Sequence, residues 1–422
     1  MRHHADGDKL EVLVFLPLPP PSPRVFEATA MPWSEEERVR LHIGFRPTDF
    51  EATGLSIPAG ATLSVYVDAA RDLPTLVVGT YSYDLDEPRD IPLARGMNTI
   101  RDPKGGLLYI RYRAPKGSRA TLTFGSKAEI VPTFRKGSDP AAWKPTLEAS
   151  RASTAMLQSD RATIVVRRES ALANAEKAPD LLLKTIDRVI DVEDEFAGLR
   201  PDERLKSRTL MAEYARNDQY MFATFYRTGY VSEAVNFILD PVALRTDGWG
   251  PWHELGHMRQ QPAWRWEEMG EVTNNMFTRA VERAFGNTSR FDRDNIWPAI
   301  RAYLAKPDAE RKYGNLHDPF VKLGLLEQLQ LAYGDRLYQE LARTVRANAE
   351  DPTDDAMRRD FFVVQTSRIA GHDLRDFFDA WGLEYSPDAN HRVSLMNLPR
   401  PPGDWTKLEK PLVQSKPRSG AY

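Results

Sequence analysis

Apolar and polar residues alternate along the first third of the chain. Leu63-Ser64-Val65-Tyr66-Val67 is the clearest case, and Leu108–Tyr112 and Ala120–Phe124 repeat the period more loosely. A period of two places one set of side chains on each face of a half-buried strand. Gly54, Pro58-Ala59-Gly60, Asp102-Pro103-Lys104-Gly105-Gly106 and Pro115-Lys116-Gly117 interrupt these runs as turns. Short strands at this spacing predict an antiparallel β-sandwich over residues 35–135. Tyr81 and Tyr83 lie in its loops, where aromatic rings suit sugars, although aromatic residues among strands more often pack.

Beyond residue 136 the period changes. Ala162–Val166 still reads as a strand, but from Ala178 to Glu195 the apolar residues Leu181, Leu182, Ile186, Val189 and Ile190 recur at helical spacing. Tyr220–Leu239 mixes aromatic and β-branched residues and reads as strands. Helical runs follow at Val321–Gln330, Asp335–Asn348, Asp355–Ile369 and Leu374–Trp381. The class is therefore α+β, with the sandwich followed by a mainly helical domain over 136–405 and a tail over 406–422. Residues 1–34 read as a flexible or early-strand segment. The apolar run Val12–Leu18 lacks the basic start, longer apolar core and small-residue cleavage site of an export signal, and Pro19, Pro20, Pro21 and Pro23 follow it.

Charge and composition narrow the functional classes. Lys+Arg total 57 and Asp+Glu 60, so a net charge of −3 gives no field favouring nucleic acid or an anionic membrane. No cysteine is present among the 422 residues, which removes disulfides, thiolate metal sites and cysteine nucleophiles. A chain of this length buries enough core to dispense with disulfides outside the cell. No apolar run reaches the roughly 18 residues that a transmembrane helix needs.

The candidate chemistry sits in His253-Glu254-Leu255-Gly256-His257. On a helix, positions i and i+4 share a face, so both imidazoles reach one metal ion. Glu254 is then set to contact a metal-bound water as a general base. A third ligand at position 263 is excluded, because Gln260 and Ala263 stand where a metzincin has Gly and His. The other solution is a Glu from the next helix, which completes a His₂Glu zinc site with one open position. Glu267 and Glu268 fall in the turn after Pro262 and are expected to face solvent. Glu271 flanks the stripe Val272, Met276, Phe277, Ala280, Val281 and Ala284, and Asn274 and Asn275 are placed to orient its carboxylate.

With these residues in view the chain resembles the enhancin-like metallopeptidases. The resemblance rests on Gly248-Trp249-Gly250-Pro251-Trp252 before the motif, Gln260-Gln261 and Glu271-Val-Thr-Asn-Asn after it, Thr53–Gly60, Trp143 and the closing stretch Asp373–Leu383. It implies a zinc endopeptidase of the gluzincin type that cleaves O-glycosylated, mucin-like proteins. The expected ligands are His253, His257 and Glu271, with Glu254 as base. Tyr230, Tyr313 and His317 are candidates for the oxyanion donor. Gly229-Tyr230 resembles a Gly-Tyr of the family, which puts Tyr230 first. Trp249, Trp252 and Asn274, with Trp264, Trp266 and Arg265, are expected to read the sugar, packing being the plain alternative for the tryptophans. Met258-Arg259 departs from the family, which often has His or Asn there. His42, His372 and His391 carry no ligand pattern.

The protein is expected to be a monomer that is secreted, periplasmic or on the cell surface, with no export signal evident in the chain. Two alternatives stand beside this reading. One is a non-catalytic glycan-binding surface protein with a structural zinc, against which an intact Glu254 argues. The other is a zinc peptidase for unglycosylated protein.

Overall fold

The computed structural model describes residues 24–84, 87–216, 218–348 and 351–412. The apolar run 12–18 and the end of the tail lie outside them. The N-terminal strands form two antiparallel sheets. One is ordered Val25–Thr29, Arg119–Phe124, Thr62–Ala69, Gly96–Arg101. The other is ordered Arg89–Pro92, Thr75–Val78, Gly106–Arg111, Glu51–Ile57, Glu129–Ile130. The alternation read from the sequence sets the inner face: Leu63, Val65, Val67 and Ala69 are buried while their neighbours are exposed. They meet Leu76, Val78, Leu108 and Ile110 of the second sheet in one core. Gly54 has φ +82° where the register shifts between Ala52 and Leu55, a bulge that favours glycine.

The second sheet is covered on both faces. Val77, Leu107 and Tyr109 pack outward against Met156, Val165, Leu210 and Ala212 of the next unit. Tyr81 and Tyr83 join this seam rather than a sugar site. Tyr81 stacks on Tyr226 at 5.3 Å, and the Tyr83 hydroxyl donates to the Ser153 carbonyl.

The second unit holds a mixed six-stranded sheet, of which the sequence pattern marked only Ala162–Val166 and the stretch 220–239. Its order is Thr133–Arg135, Thr154–Gln158, Ala162–Arg167, Thr209–Tyr214, Arg227–Val231, Met221–Thr224. The stretch 220–239 is only partly strand, because Asn236–Leu239 turns into helix. Its three apolar residues, Phe237, Ile238 and Leu239, are too few to carry a period that decides between the two.

Helix Pro179–Phe196 buries Leu182, Leu183, Ile186, Val189 and Ile190, with Pro179 at its first turn. Leu181, read as part of that stripe, is exposed. Helix Gly270–Phe285 is buried on every side from Val272 to Glu282. It packs between Trp249–His257, Pro179–Phe196 and Pro319–Tyr333, and so stands at the centre of the unit. Helices Arg336–Ala347, Asp355–Ala370 and Arg375–Trp381 close the far side.

Candidate metal centre

The motif lies on helix Trp249–His257, whose inner face buries Trp252, Leu255 and Gly256. Gly256 decides how near the next helix comes. A Cβ there would lie 2.8 Å from the Asn274 carbonyl oxygen and 3.3 Å from Phe277 Cβ. Only a bare backbone permits that approach. The link between the two helices runs through short turns at Pro262–Trp264 and Glu267–Met269. Gln261 anchors it from a buried position by donating to the carbonyls of Leu41 and Ala342.

This approach brings three ligand atoms together. His253 Nε2 is 3.0 Å and His257 Nε2 3.2 Å from Glu271 Oε2. A four-coordinate metal with bonds of about 2.1 Å spaces its ligand atoms by roughly 3.4 Å, so this set matches the chemistry and size of a zinc centre. The imidazole planes stand at 89° to each other. Behind the rings, Asn275 Oδ1 lies 2.7 Å from His253 Nδ1, and Gln260 Oε1 lies 2.7 Å from His257 Nδ1. Asn275 thus bonds His253, not the carboxylate of Glu271. Glu254 belongs to the same cluster, its oxygen within 4.8 Å of the histidine nitrogens.

The carboxylates differ in setting. Glu254 is buried, and burial raises its proton affinity against the pull of His253 and His257. Glu271 is exposed with Oε2 against both imidazoles, which lower its proton affinity when they carry charge. That pairing of a proton-accepting and a permanently ionised carboxylate suits a base beside a ligand.

Other expected site residues lie elsewhere. Tyr230 is fully buried and its hydroxyl donates to Thr228 Oγ1 at 3.0 Å, so it presents no donor to a substrate oxyanion. Its strand turns that side chain into the core. Tyr313 is also buried and donates to the Lys322 carbonyl, whereas His317 is exposed. Trp252 is 2% exposed and packs on Phe285, while Trp264 and Trp266 are buried among Tyr338, Tyr313 and Phe362. None of these three faces a substrate. Asn274 is wholly buried beneath the imidazoles, its Nδ2 2.9 Å from both Nε2 atoms and its Oδ1 without a partner. It floors the centre rather than binding substrate, because the short side chain stays in the helix interface where Glu271 reaches past it. Trp249 is half-buried against Phe320, with the Arg290 guanidinium 4.4 Å from its ring centre. At i−4 from His253 it shares the ligand face.

Arg259 was missed as anything but a departure from pattern. It is buried, with Nε 2.9 Å from Asp194 Oδ1 and Nη1 3.0 Å from Glu193 Oε2. These pairs tie the end of the motif helix to helix Pro179–Phe196. The signal was present, since Glu193 falls three and seven residues after Ile190 and Ile186, on the apolar face. Strand Met221–Thr224 ends the sheet beside the motif helix, paired with Arg227–Val231 on one side only among the described residues.

A His-Glu-x-x-His helix, a carboxylate from the next helix and an open sheet edge beside them are the arrangement that a metallopeptidase centre needs. The chain belongs to the family described as Peptidase M60, enhancin and enhancin-like, whose model matches residues 127–382. Residues 33–122 match the N-terminal domain of M60-like peptidases. A functionally unknown conserved protein from Bacillus anthracis is 30% identical, with a TM-score of 0.84 over 92% of this chain and 82% of its own. The M60 catalytic domain of Clostridium perfringens ZmpC, solved with the sialyl T antigen, shares the fold. It has 22% identity and a TM-score of 0.76, covering 90% of this chain and 81% of its own. TRPM8 channel-associated factor 1 of Bos taurus is 25% identical over 373 residues, 82% of this chain and 39% of that protein. The chain spans about a third to two fifths of the length of the curated relatives it matches. No helix of the described residues is long and apolar enough to cross a membrane.

Proposed function

We propose that the protein is a zinc endopeptidase that cleaves O-glycosylated, mucin-like proteins outside the cell, its domain over 136–405 carrying the catalysis and the sandwich over 35–135 supporting it. The observation that carries this is the convergence of His253 and His257 on Glu271 with a buried Glu254 beside them. His253, His257 and Glu271 hold the metal. Zinc, when bound, supplies a Lewis acid that lowers the pKa of water toward about 7 and polarises the scissile carbonyl. Glu254 takes the proton from the attacking water and delivers it to the departing amine. Its burial favours this, since a desolvated carboxylate holds the proton more readily. The open edge of Met221–Thr224 lays the substrate backbone beside the centre by strand addition.

The glycoprotein preference draws on the family and on the sialyl T antigen bound to the ZmpC domain. In this chain the half-buried Trp249, on the ligand face of the motif helix, is the aromatic residue we propose to meet a sugar. Incubation with an intact and a deglycosylated mucin-type glycoprotein, with and without chelator, tests the reading. Cleavage of the intact form alone, stopped by chelator, is expected. Binding without cleavage would point to a lectin-like role, and equal cleavage of both forms to a peptidase indifferent to sugar.

A further inference from the structure

Each histidine of the motif helix is held from behind by an amide, and the other end of each amide fixes its direction. Asn275 Nδ2 donates to the Glu271 carbonyl oxygen at 2.8 Å. Gln260 Nε2 donates to the Gly270 carbonyl oxygen at 2.7 Å and to the Thr273 hydroxyl at 2.8 Å. A carbonyl oxygen only accepts, so turning either amide over would set oxygen against oxygen. The amide oxygens therefore face the rings at 2.7 Å, and Nδ1 of both His253 and His257 carries the proton.

That assignment has a consequence on the other side of each ring. In the neutral imidazole Nε2 is then a bare lone pair. Both lone pairs point at Glu271 Oε2, 3.0 and 3.2 Å away. Three electron-rich atoms at this spacing repel when no proton lies among them, and a cation turns the repulsion into attraction. The Asn274 Nδ2, 2.9 Å from both Nε2 atoms, fits the same state, since it donates where lone pairs accept.

On the zinc reading above, we propose that Gln260 and Asn275 are positioning residues that lock both imidazoles in the Nδ1–H form and so keep the centre poised for metal. Both are 3% exposed, out of reach of substrate. Both hang on carbonyls of the first turn of helix Gly270–Phe285, the turn that also carries Glu271. One network thus sets the tautomer of two ligands and the place of the third. The keys are neutral amides, so the network adds no charge to the His-His-Glu set.

Histidine-selective ¹⁵N NMR of the zinc-free full chain, at a pH where imidazole is neutral, reads the tautomers directly. Both rings are expected to carry the proton on Nδ1. Gln260→Leu should release His257 to a mixture of tautomers, Asn275→Leu should release His253, and each should weaken zinc binding about 10- to 100-fold in chelator competition. Gln260→Glu and Asn275→Asp keep an oxygen against the ring while setting the other against the carbonyl the amide held, so they should retain the tautomer and bind zinc more tightly than the leucine variants, a rescue that a merely space-filling role would not give. If a leucine variant fails to fold, the parent spectrum and the acidic variants decide. A proton on Nε2 in the parent, or leucine variants with unchanged tautomer and zinc affinity, would overturn the proposal. A parent with Nδ1–H on both rings that binds no zinc would instead contradict the zinc reading and leave the tautomer assignment standing.

Discussion

Gly256 faces the Asn274 carbonyl so closely that a β-carbon at 256 would sit 2.8 Å from that oxygen. The two helices that supply the three ligand atoms touch through this pair. Gly256→Ala should force them apart by a few tenths of an ångström, costing about 1–3 kcal/mol of stability as overpacking does. Zinc affinity should fall with it, since the 3.0 and 3.2 Å spacings depend on that approach. Thermal melting and chelator competition on the same preparation check both, and an alanine variant with unchanged zinc affinity would separate the contact from the metal.

The two acidic residues of the centre should fail differently. Glu254→Gln keeps the shape and removes the base, so zinc content should hold while turnover falls about 10²- to 10⁴-fold. Glu271→Ala removes a ligand and should lose zinc and turnover together. Metal analysis beside an activity assay would show the reverse pattern if the roles were exchanged.

Arg259 should matter for folding more than for chemistry. Arg259→Met takes the arginine from buried Glu193, while Asp194 keeps Arg161, and should cost about 1–3 kcal/mol as a buried polar group left without its partner does. A denaturant melt within 1 kcal/mol of the parent would show that the pair is dispensable.

The same cluster should leave a mark on pH dependence. Burial, opposed by Arg259, pushes the Glu193 carboxyl from its ordinary 4.5 up to about 8. The folded state then binds the proton more tightly than the unfolded chain. Its contribution is full below about pH 4.5 and is lost as the pH rises toward about 8. Glu193→Gln cannot ionise and should flatten that part of the stability profile. Parallel profiles for parent and variant would remove Glu193 as its source.

The tryptophans test cleft against core. Trp252→Ala should destabilise by about 3–5 kcal/mol as a buried aromatic does. Trp249→Ala should cost less stability and raise KM for a glycosylated peptide more than for its bare twin. Equal KM changes on both peptides would leave Trp249 without a sugar to read.

The antiparallel sandwich and the long helices were legible because one face of each is buried and the other is wet, which writes a period into the sequence. Leu63, Val65 and Val67 show it plainly. Helix Gly270–Phe285 shows the limit: buried all round, it carries Asn274, Asn275, Arg279 and Glu282 inside, where polarity alone would place them at the surface. The pairing of His253 with His257 was legible because four residues make one helical turn. The tasks of Gln260 and Asn275 were not, since they depend on how the chain between the helices returns. The family's Gly-Tyr put Tyr230 at the site and adjacency to the motif put Trp252 there, but neither says which way a side chain points. Both point into the core.

The most direct measurement is anomalous scattering at the zinc edge from crystals of the zinc-loaded protein. One peak per chain is expected, about 2.1 Å from His253 Nε2, His257 Nε2 and Glu271 Oε2, with Glu254 near it and unbound. A peak held by Glu254 in place of Glu271, or no peak at the motif helix after zinc loading, would contradict the centre built from these residues.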